Sequence, residues 1–218
     1  MRIGVLGTGS VGRSIGSKLA ALGHEVKLGS RTADNTGAAE WAATAGDQAS
    51  HGTFEDAAAH GELIFNCTAG NASIQALELA GAENLAGKTL IDTSNALDFS
   101  HDVFQLSVAN NDSLAEQIQR QFPGARVVKS LNTVNAAVMV DPGLIPGDHV
   151  IFVSGDDEEA KRQTIELLAA FGWPAERIVD LGGIETARGP EAWLHLWLSI
   201  WKQLGTNHFN LTIAKTDS

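Results

Sequence analysis

The chain has 218 residues, 44% of them apolar and 19% charged, which suits a globular protein that buries its own core and excludes a disordered one. Lys and Arg number 15 against 26 Asp and Glu, a formal net charge of −11. A chain this acidic is not a general binder of nucleic acid or anionic membrane, so an anionic ligand must find a local positive patch.

Short apolar runs alternate with longer helical patterns, which predicts an α/β fold. The expected class is a Rossmann-type doubly wound, mostly parallel sheet with a C-terminal helix. In chain order, a strand over Arg2–Leu6 leads into a helix over Val11–Leu22, with Val11, Ile15, Leu19 and Leu22 on one face. A strand follows at Glu25–Leu28, a weaker one near His51–Thr53, and two more at Leu63–Asn66 and Thr89–Asp92. Ser113-Leu-Ala-Glu116 is a capping-box pattern, opening a helix that stops before Pro123. Strands are expected at Arg126–Ser130, Val150–Ser154 and Arg177–Asp180. Asp156 or Asp157 caps the helix before the last of these, with Lys161 and Arg162 further along as its dipole favours. Pro190 suits the first turn of a last long helix reaching about Gly205. Too few residues follow Asp141 for a second core. Residues 1–218 therefore read as one domain, with 141–218 completing the sheet and supplying a dimer or acceptor region.

Cys67 is the only cysteine, so no intramolecular disulfide and no multi-cysteine metal site is expected. The N-terminus lacks a signal peptide's apolar core, and no apolar run approaches the ~20 residues that span a bilayer. The expectation is a cytoplasmic protein with no membrane or nucleic-acid partner.

Gly7-Thr8-Gly9-Ser10-Val11-Gly12 follows the first strand directly and opens the first helix. That context turns a common glycine pattern into a dinucleotide fingerprint. Gly7 permits the tight turn, Gly9 lets backbone approach a pyrophosphate, and Gly12 lets helix pack on sheet. At the end of the second strand, NAD-binding proteins place an acid for the ribose hydroxyls. This chain has Gly29-Ser30-Arg31-Thr32. Arg31 can pair with a 2′-phosphate through its planar fork, and the hydroxyls of Ser30 and Thr32 can donate to it. The cofactor indicated is NADP(H).

Absences narrow the chemistry. With no tyrosine, the Tyr–Lys donor of short-chain dehydrogenases is ruled out; the lone cysteine argues against a zinc alcohol dehydrogenase. The strand ends Cys67-Thr-Ala-Gly70, Asp92-Thr-Ser-Asn95 and Leu131-Asn-Thr-Val-Asn135 should face the nicotinamide. They hold small, neutral residues. These suit an open platform for two planar rings, or equally plain turn chemistry. His195, Asp92, Asp98 and Cys67 offer no convincing acid, base or nucleophile, so no catalytic residue is assigned. Hydride transfer to a carbonyl needs a proton partner, whereas transfer between two redox cofactors has much less need of one. Trp193, Trp197 and Trp201 recur along the last helix as a core or dimer-packing stripe.

The residues Met1–Gly12, Gly29–Thr32, Val128-Lys-Ser-Leu-Asn-Thr-Val-Asn-Ala136, Val153–Asp157 and Thr186–Gly189 resemble the NADP oxidoreductases dependent on the deazaflavin coenzyme F-420. The resemblance runs over almost the whole chain. It implies a homodimer moving a hydride between NADPH and the deazaflavin. It also implies Thr8, Gly9, Ser10 and Val11 at the pyrophosphate, and Ser30 and Arg31 at the 2′-phosphate. Thr68, Ala69, Asn132, Thr133 and Ala136 would lie near the nicotinamide. The same family resembles the reductase domain of certain metalloreductases. An NADPH-dependent flavin or metal reductase is therefore the nearest alternative, and a non-catalytic NADP(H) sensor a more distant one.

Overall fold

The structure, a computed structural model, describes residues 1–98 and 105–216. The first half alternates β1 (Arg2–Leu6), α1 (Ser10–Ala21), β2 (Glu25–Ser30), α2 (Thr36–Thr44), β3 (Ala49–Thr53), α3 (Phe54–His60) and β4 (Leu63–Asn66). It continues with α4 (Gly70–Ala80), α5 (Ala82–Leu85) and β5 (Thr89–Asp92). A small antiparallel pair, β6 (Leu97–Asp98) and β7 (Gln105–Leu106), precedes α6 (Leu114–Gln121) and β8 (Arg126–Ser130). The chain ends through α7 (Ala136–Val140), β9 (Ile151–Gly155), α8 (Glu158–Phe171), β10 (Ile178–Asp180), α9 (Arg188–Ala192) and α10 (Leu194–Leu204).

The main sheet has the order β10-β9-β8-β5-β4-β1-β2-β3. Every neighbouring pair in it is parallel except β8 with β9, where Val128 stands opposite Gly155. The Rossmann-type, mostly parallel sheet is therefore as expected. Its strands are buried on both faces, which is why they read as apolar runs without alternation. In β4, Leu63 and Phe65 join the core layer with Ile15 and Leu19 of α1, while Ile64 faces Leu77 of α4 in the other layer.

Local caps follow the sequence closely. The Asp157 carboxylate accepts from the Ala160 N–H at 2.8 Å to open α8, and Gly172 closes it at φ 111°. Ser113 accepts from the Glu116 N–H at 3.1 Å, as the capping pattern predicts. The Glu116 carboxylate is also held from outside the helix, by Arg188 at 2.6 and 2.9 Å. The last helix departs from expectation. It divides at Trp193 into α9 and α10, next to Glu191, which is anchored elsewhere; Gly205 ends α10 in the left-handed region at φ 66°.

That anchor is a fully buried ion cluster. The Lys129 ammonium lies 2.5 Å from Asp92 and 2.8 Å from Glu191, and donates to the Ser94 carbonyl at 2.7 Å. Asp92 also accepts from Asn66 at 2.8 Å and the Ser94 hydroxyl at 2.6 Å. Glu191 accepts from the Leu114 and Ala115 N–H groups, at 2.7 and 3.1 Å, at the start of α6. One lysine thus joins β5, β8, α6 and α9. Burial pushes its pKa down, but Asp92 and Glu191 outweigh that and hold it above the ordinary lysine value.

Removing the cation should leave two carboxylates buried together. Lys129→Met is expected to cost about 3–5 kcal/mol, read as a lower urea midpoint. Because the folded-state pKa of Lys129 is raised, its stabilisation is complete below the unfolded pKa of ~10.4 and lost as pH rises through the folded value. Wild-type thermal stability should therefore fall on the alkaline side of ~10.4, and the Met variant should lack that step.

Candidate functional site

The strand order reverses at β1, whose neighbours are β2 and β4. Ligands of open α/β sheets lie outside the carboxyl ends of strands at such a point. Gly7 occupies it at φ 119°, its N–H donating to the Gly29 carbonyl at 2.9 Å. A Cβ on Gly7 would come within 2.6 Å of the Cys67 carbonyl oxygen, and one on Gly12 within 1.9 Å of the Gly7 carbonyl oxygen. The fold itself therefore demands glycine at both positions. Gly9 is different. Its φ of −74° suits any residue, and a Cβ there would meet nothing within 4 Å. Gly9 is the N-cap of α1 and supplies no side-chain cap, which leaves the first N–H groups of the helix to an outside acceptor.

Two cavities flank the β4–α4 loop and share Cys67, Thr68 and Ala69. The smaller, of about 280 Å³, holds Gly7, Thr8, Gly9 and Arg31. The larger, of about 680 Å³, is walled by Ser10 and Val11, by Thr93–Asn95, and by Asn132 and Ala136. The structure thus brings most of the expected residues to one two-part cleft. Arg31 is exposed, and no hydrogen bond or ion pair occupies it among the described residues. Arg2, Arg120, Arg126, Arg162, Arg177 and Arg188 all pair with carboxylates.

Besides Gly12, which is buried in the helix–sheet packing and lines neither cavity, three expected residues stand apart. Ser30 is buried and donates to the Thr32 carbonyl at 2.5 Å, so its hydroxyl shapes the turn that carries Arg31. Thr32 is exposed but lines neither cavity. Thr133 lies behind the wall, only 2% exposed, with a hydroxyl that has no partner among the described residues. Asn132 donates to Asn95 and to the Pro190 carbonyl, both at 3.0 Å. The intervening Leu131 has φ 64°, an unusual value for a branched side chain and a strained one.

The sequence gives residues 141–218 a dimer or acceptor role without its side-chain detail, and in the structure the C-terminal segment closes the larger cavity. Leu194, Trp197, Asn207 and His208 line it. Phe209 stacks on Trp197 at 5.2 Å, and Asn135 donates to the Asn207 carbonyl. These residues lie far from the glycine loop in sequence and carry no motif. The tryptophan stripe also divides. Trp193 donates to the Thr133 carbonyl at 3.2 Å, and Trp197 borders the cleft. Trp201, Leu196 and Leu204 are 44%, 54% and 59% exposed. Burial pushes the Cys67 thiol up to about 12, which makes it an inert wall residue. Asp92 is committed to the buried cluster and does not line the cleft.

The family model described as "NADP oxidoreductase coenzyme F-420-dependent" matches residues 2–96. A crystal structure from Arthrobacter sp. FB24, provisionally described as an F-420-dependent NADP-reductase, is 49% identical, with a TM-score of 0.92 over 99% of this chain and 100% of that one. This chain belongs to that family. It is an NADP-dependent oxidoreductase, which sets the sensor reading aside. Metalloreductase STEAP3 of Rattus norvegicus is 30% identical over 92% of this chain, and the chain spans only 38% of that relative's length. A reductive aminase from Aspergillus terreus, in complex with NADPH, shares the fold at a TM-score of 0.64 and 19% identity, across 94% of this chain and 62% of that one. Among the described residues no helix of the enzyme is long and apolar enough to cross a membrane, and no group of acidic, histidine and cysteine side chains could hold a metal.

The glycines provide a direct test of which constraint is internal. Gly12→Ala should destabilise the fold by about 1–3 kcal/mol or more, since its Cβ meets backbone. Gly9→Ala should unfold within about 0.5 kcal/mol of wild type. The same variant should nevertheless bind NADPH about tenfold more weakly or worse. Chemical denaturation paired with NADPH fluorescence titration separates the two effects.

Proposed function

We propose that this oxidoreductase carries a hydride between NADP(H) and a second planar redox ring, with the deazaflavin coenzyme F-420 as the favoured acceptor. The observation that carries this reading is the neutrality of the larger cavity. Among the described residues its wall has no carboxylate, lysine or arginine, and the titratable side chains there are Cys67, which is inert, and His208, which is exposed. The described residues of that wall supply no buried charged proton donor for a developing alkoxide. It can hold two rings flat and exclude water from between them.

In this reading Thr8, Gly9, Ser10 and Val11 present backbone N–H groups to the pyrophosphate. Arg31 pairs with the 2′-phosphate on a turn held by Ser30, with Thr32 beside it. Thr68, Ala69, Asn132, Thr133 and Ala136 set the nicotinamide end. When bound, NADPH supplies the hydride. The chain's own contribution is near-attack positioning, with Lys129 and Asn132 keeping the strand-end loops in place.

We also read residues 1–218 as one domain. β9 and β10 extend the same sheet, and the segment after α10 lines the same cleft. The exposed Leu196, Trp201 and Leu204 on α10 suit a second copy of the chain. Trp201→Ala should then shift the protein towards monomer in sedimentation while NADPH affinity holds. A wild type that sediments as a monomer at micromolar concentration removes the dimer.

A flavin or metal acceptor is the second reading, favoured by the likeness to a metalloreductase. Stopped-flow oxidation of NADPH with deazaflavin, FMN, FAD, ferric chelate and a small aldehyde decides among them. Rapid reduction of a ring acceptor supports the proposal; turnover of the aldehyde alone refutes it. Arg31→Ala should weaken NADPH binding about tenfold or more and leave NADH binding nearly as it was, since a charge-assisted hydrogen bond contributes about 1.5–3 kcal/mol. Equal wild-type affinities for NADH and NADPH would refute the role given to Arg31.

A further inference from the structure

The hydroxyl groups just past the ends of β4 and β5 share one property: each commits its proton to the protein. Ser94 donates to the Asp92 carboxylate at 2.6 Å, and Thr93 to the Asn66 carbonyl at 3.0 Å. Thr68 donates to the Asn66 side-chain oxygen at 2.7 Å and lies 2.8 Å from the Ser73 hydroxyl. Whichever of the two it serves, that proton points into the polar chain. Thr68, Thr93 and Ser94 all line the larger cavity. Asn66 offers no alternative arrangement. Its amide N–H groups are spent on Asp92 at 2.8 Å and Ser73 at 3.1 Å, which leaves its oxygen to Thr68. On the same wall, the Asn132 amide is spent on Asn95 and the Pro190 carbonyl.

A hydroxyl carries one proton and two lone pairs. With the proton committed, what Thr68 and Ser94 can show a ligand is an acceptor. Ser94 is the sharper case, because among the described residues its hydroxyl makes only the bond to Asp92. It cannot turn that proton to the cavity without leaving a buried carboxylate short of a donor. Asp92 in turn is fixed by Lys129 at 2.5 Å. The charge behind the hydroxyl polarises it and makes its oxygen the better acceptor.

We infer that this wall selects a ligand edge bearing an amide or imide N–H, with Ser94 and Thr68 as the acceptors that read it. Asp92, which touches no ligand, is the positioning residue that holds Ser94 directly and Thr68 through Asn66. The inference rests on the proposed ring-to-ring reading and deepens it. Both partners of that reaction carry such an edge, the carboxamide of nicotinamide and the imide of a flavin-like ring. A simple aldehyde or ketone brings only another acceptor, and meets these oxygens lone pair to lone pair. Fixed polar groups discriminate strongly, because a ligand without the matching N–H leaves them unpaired in a closed site.

Two matched pairs separate the sources. NADP⁺ and its acetylpyridine analogue differ in the carboxamide NH₂, which becomes methyl while the carbonyl stays. Lumiflavin and its imide-methylated form differ in the imide N–H alone. Dissociation constants come from calorimetric titration of the full chain, with NADP⁺ present for the flavin pair, so no turnover is needed. Wild type should bind the N–H member of at least one pair about tenfold more tightly, and that pair names the source. In Ser94→Ala or Thr68→Val the two constants of that pair should converge. A merely structural role, or a steric effect of the added methyl, would leave their ratio as in wild type. Thr68→Ser keeps the hydroxyl and should keep the wild-type ratio. Should Ser94→Ala fail to fold, Thr68→Val carries the test. Equal binding within both pairs by wild type overturns the inference alone, as does a ratio that survives in both variants. If no ring binds and none oxidises NADPH, the ring-to-ring reading fails, while the NADP⁺ pair still decides the inference.

Discussion

An ammonium group without water must be fully compensated, and Lys129 is compensated from three directions. Asp92 and Glu191 bring one more negative charge than the lysine cancels. The surplus is met by the N–H groups of Leu114 and Ala115 at the positive end of α6, and by Asn66 and Ser94. No member can leave without exposing another buried charge. The ends of β4, β5 and β8, the start of α6 and the end of α9 are therefore held as one body. Those ends carry the cleft wall. Asn66 accepts from the Thr68 hydroxyl at 2.7 Å, so the polar chain from Glu191 reaches the loop shared by both cavities.

This anchoring lets the neighbouring loop tolerate strain. Leu131 in the left-handed region costs roughly 1–2 kcal/mol. It persists because both flanking residues are pinned, Ser130 to the Phe152 carbonyl at 2.7 Å and Asn132 to Asn95 and Pro190. The turn at Leu131 presents Asn132 to the cleft. A wall held this way needs little reorganisation when a ring is laid against it, and positioning is the contribution asked of a site with few acids or bases.

The parts legible in the sequence are those set by local rules. The glycine loop, the strand runs and the Asp157 cap each depend on a few adjacent residues, and each appears where expected. What could not be read was where distant segments meet. Asp92 looks like a strand-end turn former, and only the fold shows it 2.5 Å from Lys129. Glu191 looks like a helix surface acid, yet it caps α6 from 77 residues away. Ser30 is legible as part of the turn that carries Arg31 but not in its orientation, because its donation to the Thr32 carbonyl depends on the turn's final shape. Trp193, Trp197 and Trp201 share a spacing but not an environment, since contacts from the Thr133 loop and from Phe209 divide the stripe.

The two halves of the cleft also come from different stretches of chain. The smaller cavity is built wholly from residues 7–79, within the span that the family model matches. Much of the larger cavity comes from beyond it, through Asn132, Val134–Ala137, Leu194, Trp197, Asn207 and His208. In the proposed reading, nucleotide binding and acceptor choice are thereby separable in the chain. Changes after residue 96 can reshape the larger cavity while the glycine loop and Arg31 keep their form. In that reading the hydride donor keeps its place, and only the far wall has to adapt to the acceptor.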